Sequence, residues 1–254
     1  MKRNSLTNSL GTPLALLLAG ILTLTENAPA AETMVYSEDF QSGTLETLEP
    51  VENTEKGLGV LVPDPDLADD NQKVLSTPEG STQTYFWHTE QTPATGAPLE
   101  LSFRFNEDQS NHEWNTSWAL MNDKLLNGAS IENGYGIRFG FDQEAGQRVF
   151  WVKINRGDAG EGAGRETEIA KVQLPQNTIQ TGWNTVRFRW GTDGKLTGWI
   201  NDNEVISAQD TAHEPSFRVL KVANWLSNNL PSPASMPEGR KLFFDDIKVV
   251  QPEM

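Results

Sequence analysis

Cysteine is absent from all 254 residues. Its absence excludes stabilisation by disulfides, thiol nucleophiles and a cysteine-linked lipid anchor. Basic residues are scarce: 20 Lys and Arg stand against 35 Asp and Glu, for a formal charge of −15. Nucleic acids and anionic membranes are bound through an excess of Lys and Arg, so this balance argues against both as partners. Long apolar runs are lacking as well. The main one, Leu14 to Leu24, falls short of the roughly 20 residues that a bilayer crossing needs. Beyond it no stretch repeats with the period of a helix.

The first segment, 1–30, reads as an export signal. Lys2 and Arg3 supply the positive start, Leu14 to Leu24 the apolar centre, and Ala28-Pro29-Ala30 the small-x-small pattern of a cleavage site. Cleavage there removes Lys2, Arg3 and Glu26, so the charge becomes 18 − 34 = −16. The expectation is an exported protein, periplasmic or extracellular, with no membrane insertion once the signal is gone. Residues 31–254 are then one domain, large enough at about 220 residues for a substantial core.

Apolar residues are placed with a period of two. Leu99 to Phe105 alternates strictly, Gly134 to Phe141 repeats the pattern with Gly and Arg on the other face, and Arg148 to Ile154 is more continuously apolar. Trp183 to Trp190 and Leu196 to Ile200 predict a hairpin across Gly191-Thr192-Asp193-Gly194, with Asn201-Asp202-Asn203 turning the chain into Glu204-Val205-Ile206. Phe217 to Trp225 completes the inner series. The acidic 63–71, the glycine-rich 157–164 and the proline-rich 228–233 read as loops; Asn111 to Trp118, polar and aromatic together, is either a binding loop at a groove rim or an ordinary loop with Trp118 beginning the next strand as core. Strands at this spacing indicate an all-β sandwich or barrel.

Three segments narrow that choice. Glu38-Asp39-Phe40-Gln41-Ser42-Gly43 near the start, Phe243-Phe244-Asp245-Asp246-Ile247-Lys248-Val249 at the end, and Trp183 to Val205 between them resemble the concanavalin A-like lectin and glucanase superfamily, with its laminin G-like members. The resemblance implies a jelly-roll sandwich of two antiparallel sheets with paired terminal strands. It also implies a structural calcium held by Glu38, Asp39, the carbonyl of Gly43 and Asp245, since hard cations take carboxylate and carbonyl oxygens together. The alternative for Asp245 and Asp246 is a role as surface carboxylates or backbone caps. The acidic loop from Asp64 to Asn71 lacks the ligand spacing and central Gly of an EF-hand.

If Leu101, Phe103, Ile137, Phe139, Phe150, Val152, Val186, Phe188 and Ile200 point inward, alternation sends Arg104, Arg138, Trp151, Lys153, Arg187, Arg189 and Trp199 outward. Aromatic faces stack on sugar rings and guanidinium forks grip carboxylates or sulfates, so Arg104, Arg138, Trp151, Lys153 and Trp199 are the candidate glycan-binding set. Acidic polysaccharide is the favoured ligand. The competing reading is a solubilising charged face. For hydrolysis the superfamily's Glu-x-Asp-x-x-Glu strand is missing, and Glu166-Thr167-Glu168 is the nearest pair of carboxylates. For β-elimination Tyr85, His88, Arg104, Tyr135 and Arg138 are the right types, but the alginate-lyase strand patterns are not matched. Only Trp151-Val152-Lys153 is similar to part of one. A lectin-like glycan binder is therefore the leading expectation. A polysaccharide-degrading enzyme, lyase before hydrolase, follows it, and an adhesion module comes third.

Overall fold

The computed structural model describes residues 32–43, 49–50, 60–66, 72–76, 83–107, 114–122, 133–145, 147–158, 166–226 and 242–252. The expected export signal and the proline-rich stretch 228–233 lie outside them. Fifteen strands occur among the described residues: β1 (Thr33–Glu38), β2 (Glu49–Pro50), β3 (Val60–Pro63), β4 (Lys73–Ser76), β5 (Gln83–Thr95), β6 (Leu99–Glu107), β7 (Trp114–Met121), β8 (Gly134–Glu144), β9 (Gln147–Gly157), β10 (Glu166–Gln173), β11 (Trp183–Trp190), β12 (Lys195–Ile200), β13 (Asn203–Gln209), β14 (Ser216–Leu226) and β15 (Leu242–Gln251). No described helix is long and apolar enough to cross a membrane.

The strands form two antiparallel sheets. One has eight strands in the order β13-β12-β11-β6-β15-β4-β3, with β1 also on β15. The other has seven, in the order β10-β9-β8-β7-β14-β5-β2. The terminal strands pair as expected, with Met34 opposite Val250 and Glu38 opposite Ile247.

All nine residues expected to point inward lie in the core cluster. The two sheets meet through aromatics: Phe103 of β6 stacks on Trp118 of β7 with centroids 3.8 Å apart, and Tyr135 of β8 meets Trp190 of β11 edge-on at 4.9 Å. Burying such rings supplies much of the favourable free energy of a sandwich of this size. The β11–β12 hairpin closes on Gly194 at φ 78°, and the β12–β13 turn on Asn201 and Asp202 at φ 50° and 62°. Two consecutive positive φ angles match the twist of the flanking strands.

One expectation fails here. Asn111 to Trp118 is not all connection, because Trp114 to Met121 forms β7 in the middle of the seven-stranded sheet. Its residues are buried on both faces, so polar Asn115, Thr116 and Ser117 sit inside the molecule and blur the alternation. Asn111, His112 and Glu113 lie outside the described residues. On β15, Asp246 is at φ 51° and the register slips between Asp245 and Lys248. That bulge brings two successive carboxylates to the same neighbour, Arg104.

Candidate functional site: a polar groove on the seven-stranded sheet

The outward face of the seven-stranded sheet is built from successive cross-strand rows. In one row Lys221, Ala119, Gly136, Asn155 and Glu168 follow across β14, β7, β8, β9 and β10. The next runs Ala223, Ser117, Arg138, Lys153 and Lys171, and a third sets Asn115, Gly140, Trp151 and Gln173 side by side across β7 to β10.

This face is concave. Lys221 on β14 and Glu166 on β10 are four strand spacings apart, about 19 Å along a flat sheet. Their ammonium and carboxylate nevertheless meet at 3.0 Å. Two extended side chains and that contact fall well short of the flat-sheet distance, so the sheet curls towards its outer side. The outward positions of β8 show the same bend. A Cβ on Gly134 would lie 2.1 Å from the Leu120 carbonyl oxygen, and one on Gly140 would lie 2.2 Å from that of Trp114. Glycine is what lets β7 and β8 fold over this closely.

Polar side chains line the groove floor. Lys221 is buried, with 1% of its side chain exposed, and Glu166 retains 17%. The Asn155 amide donates to the other Glu166 oxygen at 2.8 Å. Burial alone would push the Glu166 carboxyl up, but Lys221, the Asn155 hydrogen bond and the field of Arg138 outweigh it and hold it below the ordinary carboxylate range. Beside this pair, Arg138 Nε donates to Asn115 Oδ1 at 3.0 Å, and Lys153 pairs with Glu168 at 2.7 Å. The Trp151 ring lies among cations, with Lys153 Nζ at 5.3 Å, Arg138 Cζ at 5.9 Å and Lys171 Nζ at 5.9 Å. Three buried polar atoms of this face make no hydrogen bond: Ser117 Oγ, Asn155 Oδ1 and Trp151 Nε1. A buried polar atom without a partner costs free energy, so these atoms are open to hydrogen bonding from outside the protein.

The five residues expected to bind glycan are divided between two outer faces. Arg138, Trp151 and Lys153 come together in the groove. Arg104 and Trp199 do not: they lie on β6 and β12 of the eight-stranded sheet. Alternation fixes parity along a strand but not which sheet the strand joins. Arg104 pairs with Asp245 and Asp246 and lies 4.8 Å over Trp183, while Trp199 is covered by Arg187 at 4.7 Å. Trp151 points outward yet is only 7% exposed, because the groove encloses it. Sequence reasoning passed over Asn155, Lys171 and Lys221, and placed Ser117 only in a loop between strands. The alternating Gly-x-Gly-x-Arg-x-Gly of β8 was the available sign that this face is crowded and concave.

The carboxylates expected to hold calcium have protein partners. Glu38 Oε1 accepts the Phe40 N–H at 2.8 Å and Asp39 Oδ1 accepts that of Gln41 at 3.0 Å. The Gly43 N–H donates to the Phe40 carbonyl at 3.2 Å. Asp245 faces the Arg104 guanidinium, and among the described residues no three carboxylate or imidazole side chains gather as a metal site. Arg104 supplies positive charge to Asp245 and Asp246, while the buried Asp245 Oδ1 makes no hydrogen bond among the described residues. Among the residue types suited to β-elimination, Tyr135 points into the core and donates to Asp210, Arg104 is on the other sheet, and the side chains of Tyr85 and His88 lie outside the described residues.

No protein-family model matches the chain, and no curated protein matches it significantly in sequence. Solved structures do match in shape. The globular domain of T. cruzi calreticulin aligns with TM-score 0.59 at 14% identity, over 87% of this chain and 89% of that one. A glycoside hydrolase family 16 endo-glucanase from Bacteroides ovatus aligns with TM-score 0.57 at 12% identity, over 85% and 100%. The Emp46p carbohydrate recognition domain in its potassium-bound form gives 0.55 at 10% identity, over 85% and 94%. The fold is that of the concanavalin A-like jelly rolls.

Proposed function

We propose that this protein is an exported glycan-binding module whose groove on the seven-stranded sheet takes a segment of polysaccharide, with a preference for acidic chains. The observation that carries the reading is the groove itself, where three orphaned polar atoms lie beside Trp151 on a concave floor. Sugar hydroxyls supply both donors and acceptors to such atoms, and the enclosed indole edge and cationic fringe complete a site of the kind that small polar ligands occupy. The balance of charge supports the acidic preference. Arg138, Lys153, Lys171 and Lys221 face Glu166 and Glu168, a local 4 − 2 = +2, in a chain whose formal charge is −15. An endo-glucanase and a carbohydrate recognition domain are among the proteins of similar shape, which is consistent with sugar as the ligand class.

The test is affinity electrophoresis in gels containing polygalacturonate or dextran, with reducing-end and unsaturated-product assays on the same mixtures. Retention by polygalacturonate that weakens as salt rises is expected, because screening acts on the Arg138 and Lys171 contacts. Arg138→Gln should reduce it, and Trp151→Phe, which keeps a ring but removes the indole N–H, should reduce it further. Absence of retention by either polymer overturns the reading. Product release with either polymer replaces binding with catalysis.

A further inference from the structure

We propose a second, separate ligand site on the opposite face of the sandwich: a pocket at the β11–β12 hairpin that takes a single sugar unit bearing a carboxylate or sulfate. The pocket has a volume of about 420 Å³ and is lined by Arg189, Lys195, Thr197, Trp199, Asp193 and Pro98 among others. That volume lies within the roughly 300–1,000 Å³ of small-molecule sites.

Register explains why these groups converge. Arg189 of β11 sits opposite Thr197 of β12, Arg187 sits opposite Trp199, and Lys195 begins β12 where the hairpin closes. Arg187 is already paired: it contacts Glu100 at 3.4 Å and Asp202 at 3.8 Å while stacking 4.7 Å over the Trp199 ring. It therefore fixes the indole as a wall of the pocket. Asp193 is engaged too, accepting the Lys195 backbone N–H at 3.0 Å in the turn.

The Arg189 guanidinium and the Lys195 ammonium, by contrast, make no ion pair among the described residues, although the chain carries 35 carboxylates to 20 cations. Two cations left unmatched beside an aromatic wall, in a protein with so many carboxylates, suit an oxyanion attached to a sugar ring. The guanidinium fork would grip the oxyanion and the indole would pack on the ring. The site does not depend on the groove reading, since it shares no residue with it.

The experiment is NMR titration of the full chain with methyl glucuronide, methyl glucoside 6-sulfate, methyl glucoside and inorganic sulfate, following the Arg189 Hε and Trp199 Hε1 signals. Saturable shifts of both signals with the two anionic glycosides are expected. Arg189→Gln should weaken both affinities roughly tenfold, the value of one charged hydrogen bond. Lys195→Gln provides a second variant at an exposed position should the first fail to fold. Equal affinity for methyl glucoside overturns the oxyanion assignment. Equal affinity for inorganic sulfate reduces the site to adventitious ion binding, and unmoved signals remove it.

Discussion

Replacing Lys221 with methionine tests the groove architecture most directly. Its side chain is 1% exposed and its ammonium lies 3.0 Å from Glu166, whose side chain is 17% exposed. Methionine keeps most of the aliphatic stem and removes the charge. Taking one partner from a buried ion pair costs about 3–5 kcal/mol, because the other charge is left desolvated. At about 2–4 °C per kcal/mol for a domain of this size, the melting temperature at neutral pH should fall by about 6–20 °C.

The pH dependence has a definite sign. In the native protein the Glu166 carboxyl is held below its ordinary range, so its stabilising contribution is present above the unfolded-state pKa and fades as pH falls through the folded one. Without Lys221, burial dominates and raises that pKa, so the variant regains stability as Glu166 takes up a proton. The gap between wild type and Lys221→Met in urea melts should therefore be full at pH 7 and shrink towards about pH 4. Adding Glu166→Gln should restore most of the loss at pH 7. The competing account is that Lys221 acts only through the packing of its stem. A loss that is the same at every pH and unrelieved by Glu166→Gln would show this and refute the charge-pair account.

Two smaller predictions concern the frame of the groove and the sandwich end. Gly140→Ala places a methyl group 2.2 Å from the Trp114 carbonyl oxygen and 2.7 Å from the Asn115 Cβ, so β7 and β8 must separate; a loss of about 2 kcal/mol or more in denaturant melts is expected, and a neutral effect would show that the bend tolerates a side chain. Tyr135 donates to Asp210, its hydroxyl pKa raised well above the usual phenol value by burial first and by that bond second. Burial raises the Asp210 carboxyl, but Tyr135, the Ala212 amide and Arg156 bring it below its ordinary range. Tyr135→Phe should thus cost about 1–2 kcal/mol at pH 7, and the cost should shrink as pH falls through the folded-state pKa of Asp210.

Much of the fold was legible because it rests on a local signal. Strict alternation in β6 and β8 and the Asn-Asp turn after Ile200 are written in adjacent residues, and the nine residues that alternation sent inward all reached the core. The middle of the groove sheet was harder to read. β7 is buried on both faces, with Asn115, Thr116 and Ser117 interrupting its apolar pattern, so polarity that signals a connection elsewhere here marks a lined cavity. The binding face was half legible for a related reason. Parity selected outward residues correctly, but sheet membership is decided by long-range pairing, and it separated Arg104 and Trp199 from Arg138, Trp151 and Lys153. Lys221 was invisible for the opposite reason: a lysine within an apolar run reads as an exposed edge until its distant partner on β10 is known.

The same pairing bears on whether the groove binds or reacts. General acid catalysis at neutral pH needs a carboxyl whose pKa is raised, so that it still carries a proton to give. The groove does the reverse. Glu166 is held ionised against Lys221 despite its burial, and Glu168 lies 2.7 Å from Lys153. Both carboxylates on this face therefore neutralise lysines and stand as structural charges. Beside them stand Arg138, which donates to the neutral Asn115 amide, and Lys171 next to Trp151, together with the orphaned atoms of Ser117, Asn155 and Trp151. This arrangement supports the proposed binding role over proton donation by Glu166. Mutation that freed Glu166 from Lys221 would raise its pKa towards the range of an acid catalyst, while costing the fold the stability that the pair supplies.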